Sequence, residues 1–129
     1  LGDLLLKHRP SLVVIELGGN DALRGLPLAL TQDNLLAMVQ MAKKAKAEVL
    51  LLGMQVPPNY GRSYAQQFTQ IYAEVARVGA ARLVPFMLKG VADAPDSAKW
   101  FQADRLHPTQ EAQPQILANI WPELEKGLK

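Results

Sequence analysis

Two short stretches carry side chains whose types and spacing could do chemistry. The first, Val14-Ile15-Glu16-Leu17-Gly18-Gly19-Asn20-Asp21, runs from apolar, strand-like residues straight into two glycines, an amide and a carboxylate. Glycines at a strand end permit a tight turn and close approach of the main chain, and Asn20 would then project a neutral N–H donor into a crevice. Such a donor can stabilise a developing oxyanion, typically by about 3–4 kcal/mol in the transition state. Gly, Asn and Asp are also the usual turn formers, so a plain turn accounts for the same residues. The second stretch, Asp104-Arg105-Leu106-His107-Pro108, places a carboxylate three residues ahead of one of the two histidines. At that spacing within a turn, Asp104 can accept from one ring nitrogen and leave the other free as a base. A helix-capping Asp beside a surface His would look the same. The other histidine, His8, lies between Lys7 and Arg9 with nothing nearby to orient it, and reads as a solvated helix end.

The elements that must position these stretches alternate along the chain. Leu4, Leu5 and Leu6 before Lys7-His8-Arg9-Pro10 predict the end of an amphipathic helix stopped by the proline. Residues Leu12 to Leu17 form a short, nearly continuous apolar run of the kind found in strands covered on both faces. Thr31 is the expected N-cap of a helix through about Lys46, with Leu35, Met38, Val39 and Ala42 at helical spacing. Val49 to Leu52 repeats the buried-strand pattern. A helix is expected from Tyr64 to Val78 with Phe68, Ile71, Tyr72 and Val75 on one face, then a short strand at Leu83 and Val84 ended by Pro85. After the irregular Asp93-Ala94-Pro95-Asp96-Ser97, a last helix should open at Pro108 and turn Ile116, Leu117, Ile120 and Leu124 inward, since proline costs nothing at a first helical position. The alternation predicts an α/β fold with a parallel sheet and helices on both faces. In such sheets ligands bind beyond the carboxyl ends of the strands, which is where Gly18 to Asp21 fall.

Composition narrows the field. With 129 residues, 49% hydrophobic and 20% charged, the chain has the size and apolar content of one globular domain, residues 1–129. The net charge is +2 and the densest basic group is Lys43, Lys44 and Lys46. Without a basic stripe interleaved with aromatics, that group reads as a solvated helix face, and no nucleic-acid partner is expected. No apolar run approaches the roughly 18–20 residues of a membrane span, so no stable membrane insertion is expected. The absence of cysteine excludes disulfides and thiolate metal sites.

Taken together and in order, "GGND" after a buried strand and "DRLHP" near the C-terminus resemble the third and fifth conserved blocks of the SGNH hydrolases, the GDSL esterase/lipase family. "VIELGGNDALRGL", "QVPPNYGRSY" and "LHPTQEAQP" are similar to the bacterial periplasmic acyl-CoA thioesterase/lysophospholipase (arylesterase) branch over essentially the whole chain. The resemblance implies a three-layer α/β/α, flavodoxin-like fold. It implies Asn20 as oxyanion donor, His107 as general base and acid, and Asp104 as its orienter. It suggests that Ala22 to Leu26 and Pro57 to Arg62 shape an acyl-binding groove. An acyl ester or thioester is the implied substrate, without metal or organic cofactor, in a periplasmic or secreted protein.

The family's nucleophile is a serine in a Gly-Asp-Ser turn, and no such block is visible. Leu1-Gly2-Asp3-Leu4 matches only its Gly-Asp pair and fits the first helix instead. Ser11 enters its strand at the end away from the crevice, and Ser63 and Ser97 are expected in loops without a nucleophile turn. By the resemblance, the chain is a partial domain lacking the first strand, central in the sheet, and its serine. The alternatives are a non-catalytic fragment or one half of a nicked enzyme, and a carbohydrate O-acetylesterase of the same superfamily.

Overall fold

The computed structural model describes residues 1–19, 22, 24–56, 60–103 and 107–128. The elements are α1 (Gly2–His8), β1 (Leu12–Ile15), α2 (Leu28–Lys44), β2 (Glu48–Leu52), α3 (Arg62–Gly79), β3 (Arg82–Val84) and α4 (Gln113–Gly127), with 3-10 turns at Ser97–Trp100 and Gln110–Ala112. The three strands form one parallel sheet in the order β1-β2-β3.

Alternation along β2 divides the interior into two layers. Val49 and Leu51 join Leu5 of α1, Leu35, Val39 and Ala42 of α2, and Phe68, Ile71, Tyr72 and Val75 of α3 on one face. Leu50 and Leu52 join Val84, Met87, Leu88, Val91 and Ile116 on the other, where Ile120 and Leu124 of α4 pack. Successive strand side chains point to opposite faces, so a strand apolar at every position needs a cover on both sides. Helices on both faces of a parallel sheet are the expected α/β/α arrangement. The Gly-Asp pair of Leu1-Gly2-Asp3-Leu4 lies at the start of α1, as its helical reading requires, and His8 is exposed in the last turn of that helix.

Several boundaries differ from expectation for identifiable reasons. α1 ends before Pro10 because Arg9 adopts a left-handed conformation, φ 47°, and its N–H returns to the Leu5 carbonyl. β1 stops at Ile15 rather than Leu17 and is not covered on both faces: it lies at the edge of the sheet, and Val14 is 45% exposed. Thr31 is no N-cap. Pro27, with φ −56°, occupies that position, because a fixed φ and a missing N–H suit a helix entry, and α2 begins a turn earlier with Thr31 buried inside it. α3 begins at Arg62, which puts Ser63 in its first turn rather than in a loop, and Ser97 opens a 3-10 turn. Pro108 is extended, in a bridge with Phe101. α4 starts only at Gln113, where Pro114 takes the first-turn place. Leu117 is exposed, because one residue of helix turns it about 100° away from the inward stripe of Ile116, Ile120 and Leu124.

Candidate active site

Beyond the carboxyl end of β1 opens a groove of about 990 Å³. Glu16, Leu17, Gly18 and Gly19 form its wall at the strand end, Thr31, Leu35 and Met38 of α2 line one side, and Ile116 and Ile120 of α4 the other. His107 and Pro108 complete it, with Met54, Met87 and Leu88 as further apolar lining. The structure therefore brings the Gly-Gly turn and His107, 88 positions after Gly19, to one cavity. Asn20 and Asp104, the other two expected site residues, lie outside the described residues, as does Asp21.

The turn is shaped by its surroundings. Gly18 has φ +104°, and a Cβ there would stand 2.6 Å from the Tyr72 hydroxyl oxygen, closer than side-chain carbons approach. Only glycine satisfies both demands. Gly19 faces open space. The Tyr72 hydroxyl donates to the Leu17 carbonyl at 2.7 Å, and the Ala22 N–H donates to the Gly18 carbonyl at 3.1 Å.

His107 is held by its own neighbours. The Gln102 N–H donates to the His107 carbonyl at 2.8 Å, the Thr109 N–H to the Trp100 carbonyl at 2.8 Å, and Phe101 and Pro108 bridge between them. The Gln102 side chain adds a bond to the Pro108 carbonyl at 3.1 Å. This short ladder fixes the main chain on both sides of 103–106, and His107 is an exposed residue that lines the groove.

Of the two loops expected to shape the groove, the one at 22–26 is bonded by α3. Tyr64, in the first turns of α3, donates to the Ala22 carbonyl at 3.2 Å and the Leu26 carbonyl at 3.4 Å. Gly61 and Arg62 line a separate, shallower hollow with Gln55, Gln66 and Gln70. Pro57 to Asn59 lie outside the described residues.

The sequence reading missed Thr31 as a groove residue. The residue is 2% exposed, and its hydroxyl has no hydrogen-bond partner among the described residues. A buried hydroxyl ordinarily finds one. Among the described residues, the carboxylates whose titration is moved lie away from the groove. A hydrogen bond from Arg77 lowers Glu74, and one from Lys99 lowers Asp96. Among the described residues no group of three or more His, Asp or Glu could hold a metal ion.

A parallel sheet with a glycine turn and a histidine facing one cavity at its carboxyl end defines a class of α/β proteins with a strand-end site. Residues 1–113 match the GDSL-like lipase/acylhydrolase family, and the chain belongs to it. It is 49% identical over 122 residues to the esterase TesA of Pseudomonas aeruginosa, covering 95% of this chain and 59% of that protein. It is 42% identical over 113 residues to thioesterase 1/protease 1/lysophospholipase L1 of Escherichia coli K12, covering 88% of this chain and 53% of that one. The crystal structure of TesA superposes with a TM-score of 0.90 at 48% identity, over 96% of this chain and 67% of that one. The chain thus spans little more than half the length of the two relatives it matches.

Proposed function

We propose that this chain carries the oxyanion and proton-transfer half of a serine esterase or thioesterase, and that a preceding segment supplies the nucleophile. The observation that carries the reading is the shared groove: Gly18 and Gly19 on one wall, His107 on another, and an apolar lining suited to an acyl chain. In the complete enzyme the serine attacks an ester or thioester carbonyl, and His107, oriented by Asp104, takes its proton and returns it to the leaving group. Asn20 and backbone N–H groups hold the oxyanion, and water then hydrolyses the acyl-enzyme. The names of the relatives, an esterase and a thioesterase/lysophospholipase, favour lipid-like acyl substrates.

The placement of the three serines supports an external nucleophile. None lines the groove. The Ser11 carbonyl accepts from the Glu48 N–H, at the amino ends of the strands. The Ser63 hydroxyl accepts from Gln67 on α3. Ser97 opens a 3-10 turn. Among the described residues β1 has no strand on its outer edge, which is compatible with a further strand there. By the resemblance the protein is periplasmic or secreted; among the described residues no helix is long and apolar enough to cross a membrane.

The test is labelling with a serine-directed fluorophosphonate. The 129-residue chain alone should remain unlabelled and hydrolyse no p-nitrophenyl ester, whereas the protein extended by an upstream Gly-Asp-Ser segment should do both. Stoichiometric labelling of Ser11, Ser63 or Ser97 would overturn the external nucleophile.

A further inference from the structure

The loop after β1 is tied to α3 at two points, two helical turns apart. Tyr72, 1% exposed and edge-on to Phe68 with ring centroids 5.3 Å apart, bonds the Leu17 carbonyl. Tyr64 bonds the carbonyls of Ala22 and Leu26. Between these anchors the Ala22 N–H donates to the Gly18 carbonyl. A Cβ at Gly18 would meet the phenol oxygen itself at 2.6 Å and the Thr31 methyl at 3.5 Å. A phenylalanine would fill the core at position 72 equally well. The hydroxyl adds a bond to the last carbonyl before the glycines.

We propose that Tyr72, seconded by Tyr64, is the positioning residue for the Gly18-Gly19-Asn20 turn. It acts on the chemistry through main-chain geometry, without touching substrate. The inference rests on the oxyanion role proposed above for Asn20. Such donors work only when held within about 0.5 Å of the productive geometry, and displacement of a site by about 1 Å can cost as much as 10²-fold in rate. A phenol bound to the peptide that enters the turn supplies that constraint from a buried, well-packed helix.

Tyr72→Phe in the complete enzyme removes the hydroxyl and keeps the ring. It should lower kcat about tenfold with KM and the pH midpoint of activity unchanged, whereas a merely structural role would lower the fraction of active molecules and leave kcat per active site intact. Tyr64→Phe, whose bonds are longer and more exposed, should lower kcat by about threefold or less. In an Asn20→Ala background the Tyr72→Phe effect on kcat should largely disappear, because both act on the same donor. A second cycle tests the contact itself. Gly18→Ala should cost less, in thermal midpoint, when Tyr72 is already Phe, since the oxygen that a Cβ would meet is gone. Additive effects there, or a Tyr72→Phe enzyme with the kcat of the parent beside an impaired Asn20→Ala enzyme, overturn the inference. An Asn20→Ala enzyme with the kcat of the parent instead sinks the oxyanion assignment, and with it the chemical purpose of the clamp.

Discussion

The two walls of the groove are held by different kinds of structure. The turn after β1 is fixed from outside, by a phenol 55 positions further along the chain. The His107 segment is fixed from within, by backbone bonds between residues 100–102 and 107–109. A change in α3 can therefore reach the turn through Tyr72, and a change in the 100–109 ladder can reach the main chain at His107. In the proposed mechanism the base must be reachable and oriented; the ladder places the main chain at His107, and the orientation of the ring is assigned to Asp104. An oxyanion donor must hold still against growing charge, which a packed helix does better.

This contrast can be broken or sharpened by substitution. The largest effect should come from His107→Ala in the complete enzyme, a fall in kcat on the order of 10⁴-fold or more on a p-nitrophenyl ester, with Asp104→Asn losing no more than that. Asn20→Ala should follow, lowering kcat by about 10²–10³ with little change in KM. Asp21→Ala should cost stability rather than rate, since an ionised carboxylate accepts hydrogen bonds and repels an oxyanion.

Next come the glycines of the turn, measured by thermal or denaturant midpoint. Gly18→Ala should destabilise by about 1–3 kcal/mol, the scale of a non-glycine residue forced into that backbone region. Gly19→Ala, with nothing within 4 Å of its Cβ position, should be nearly silent in stability. Equal costs at the two positions would mean that the turn is not pressed against α3.

The smallest effect concerns Asp96, beside Lys99 in the turn that leads into the ladder. The Lys99 hydrogen bond holds the Asp96 carboxyl below the usual 3.8. The sign follows from linkage: a carboxylate lowered by folding adds stability above its ordinary value, and that stability is lost as pH falls through the lowered one. The pair is fully exposed, so Asp96→Asn should flatten the acid side of the stability profile only slightly and leave kcat unchanged.

The order of elements was legible because it rests on local periodicity. Leu35, Val39 and Ala42, and again Phe68, Ile71, Tyr72 and Val75, recur at helical spacing and are buried as that spacing requires. The two chemical stretches were legible as motifs, and His107 faces the cavity that the Gly-Gly turn also lines. What stayed hidden depends on residues far apart. Val14 carries the same apolar signal as Val49, yet one lies at a sheet edge and the other at its centre. Thr31 has good capping chemistry, but Pro27 starts the helix before it is needed. Tyr72 reads as core because periodicity registers a ring and not a hydroxyl, and its acceptor lies in a different part of the chain.

Among the described strands the sheet order equals the chain order, so β2 and β3 can each add to an edge already present as the polypeptide is synthesised. The two interior layers do not finish together. Among the described elements, α2 and α3 are made by residue 79, whereas Leu50, Leu52, Val84 and Met87 are covered by α4, made later. Until then the nascent chain presents a half-built domain with one closed face and one open, greasy one, the kind of intermediate that chaperones recognise.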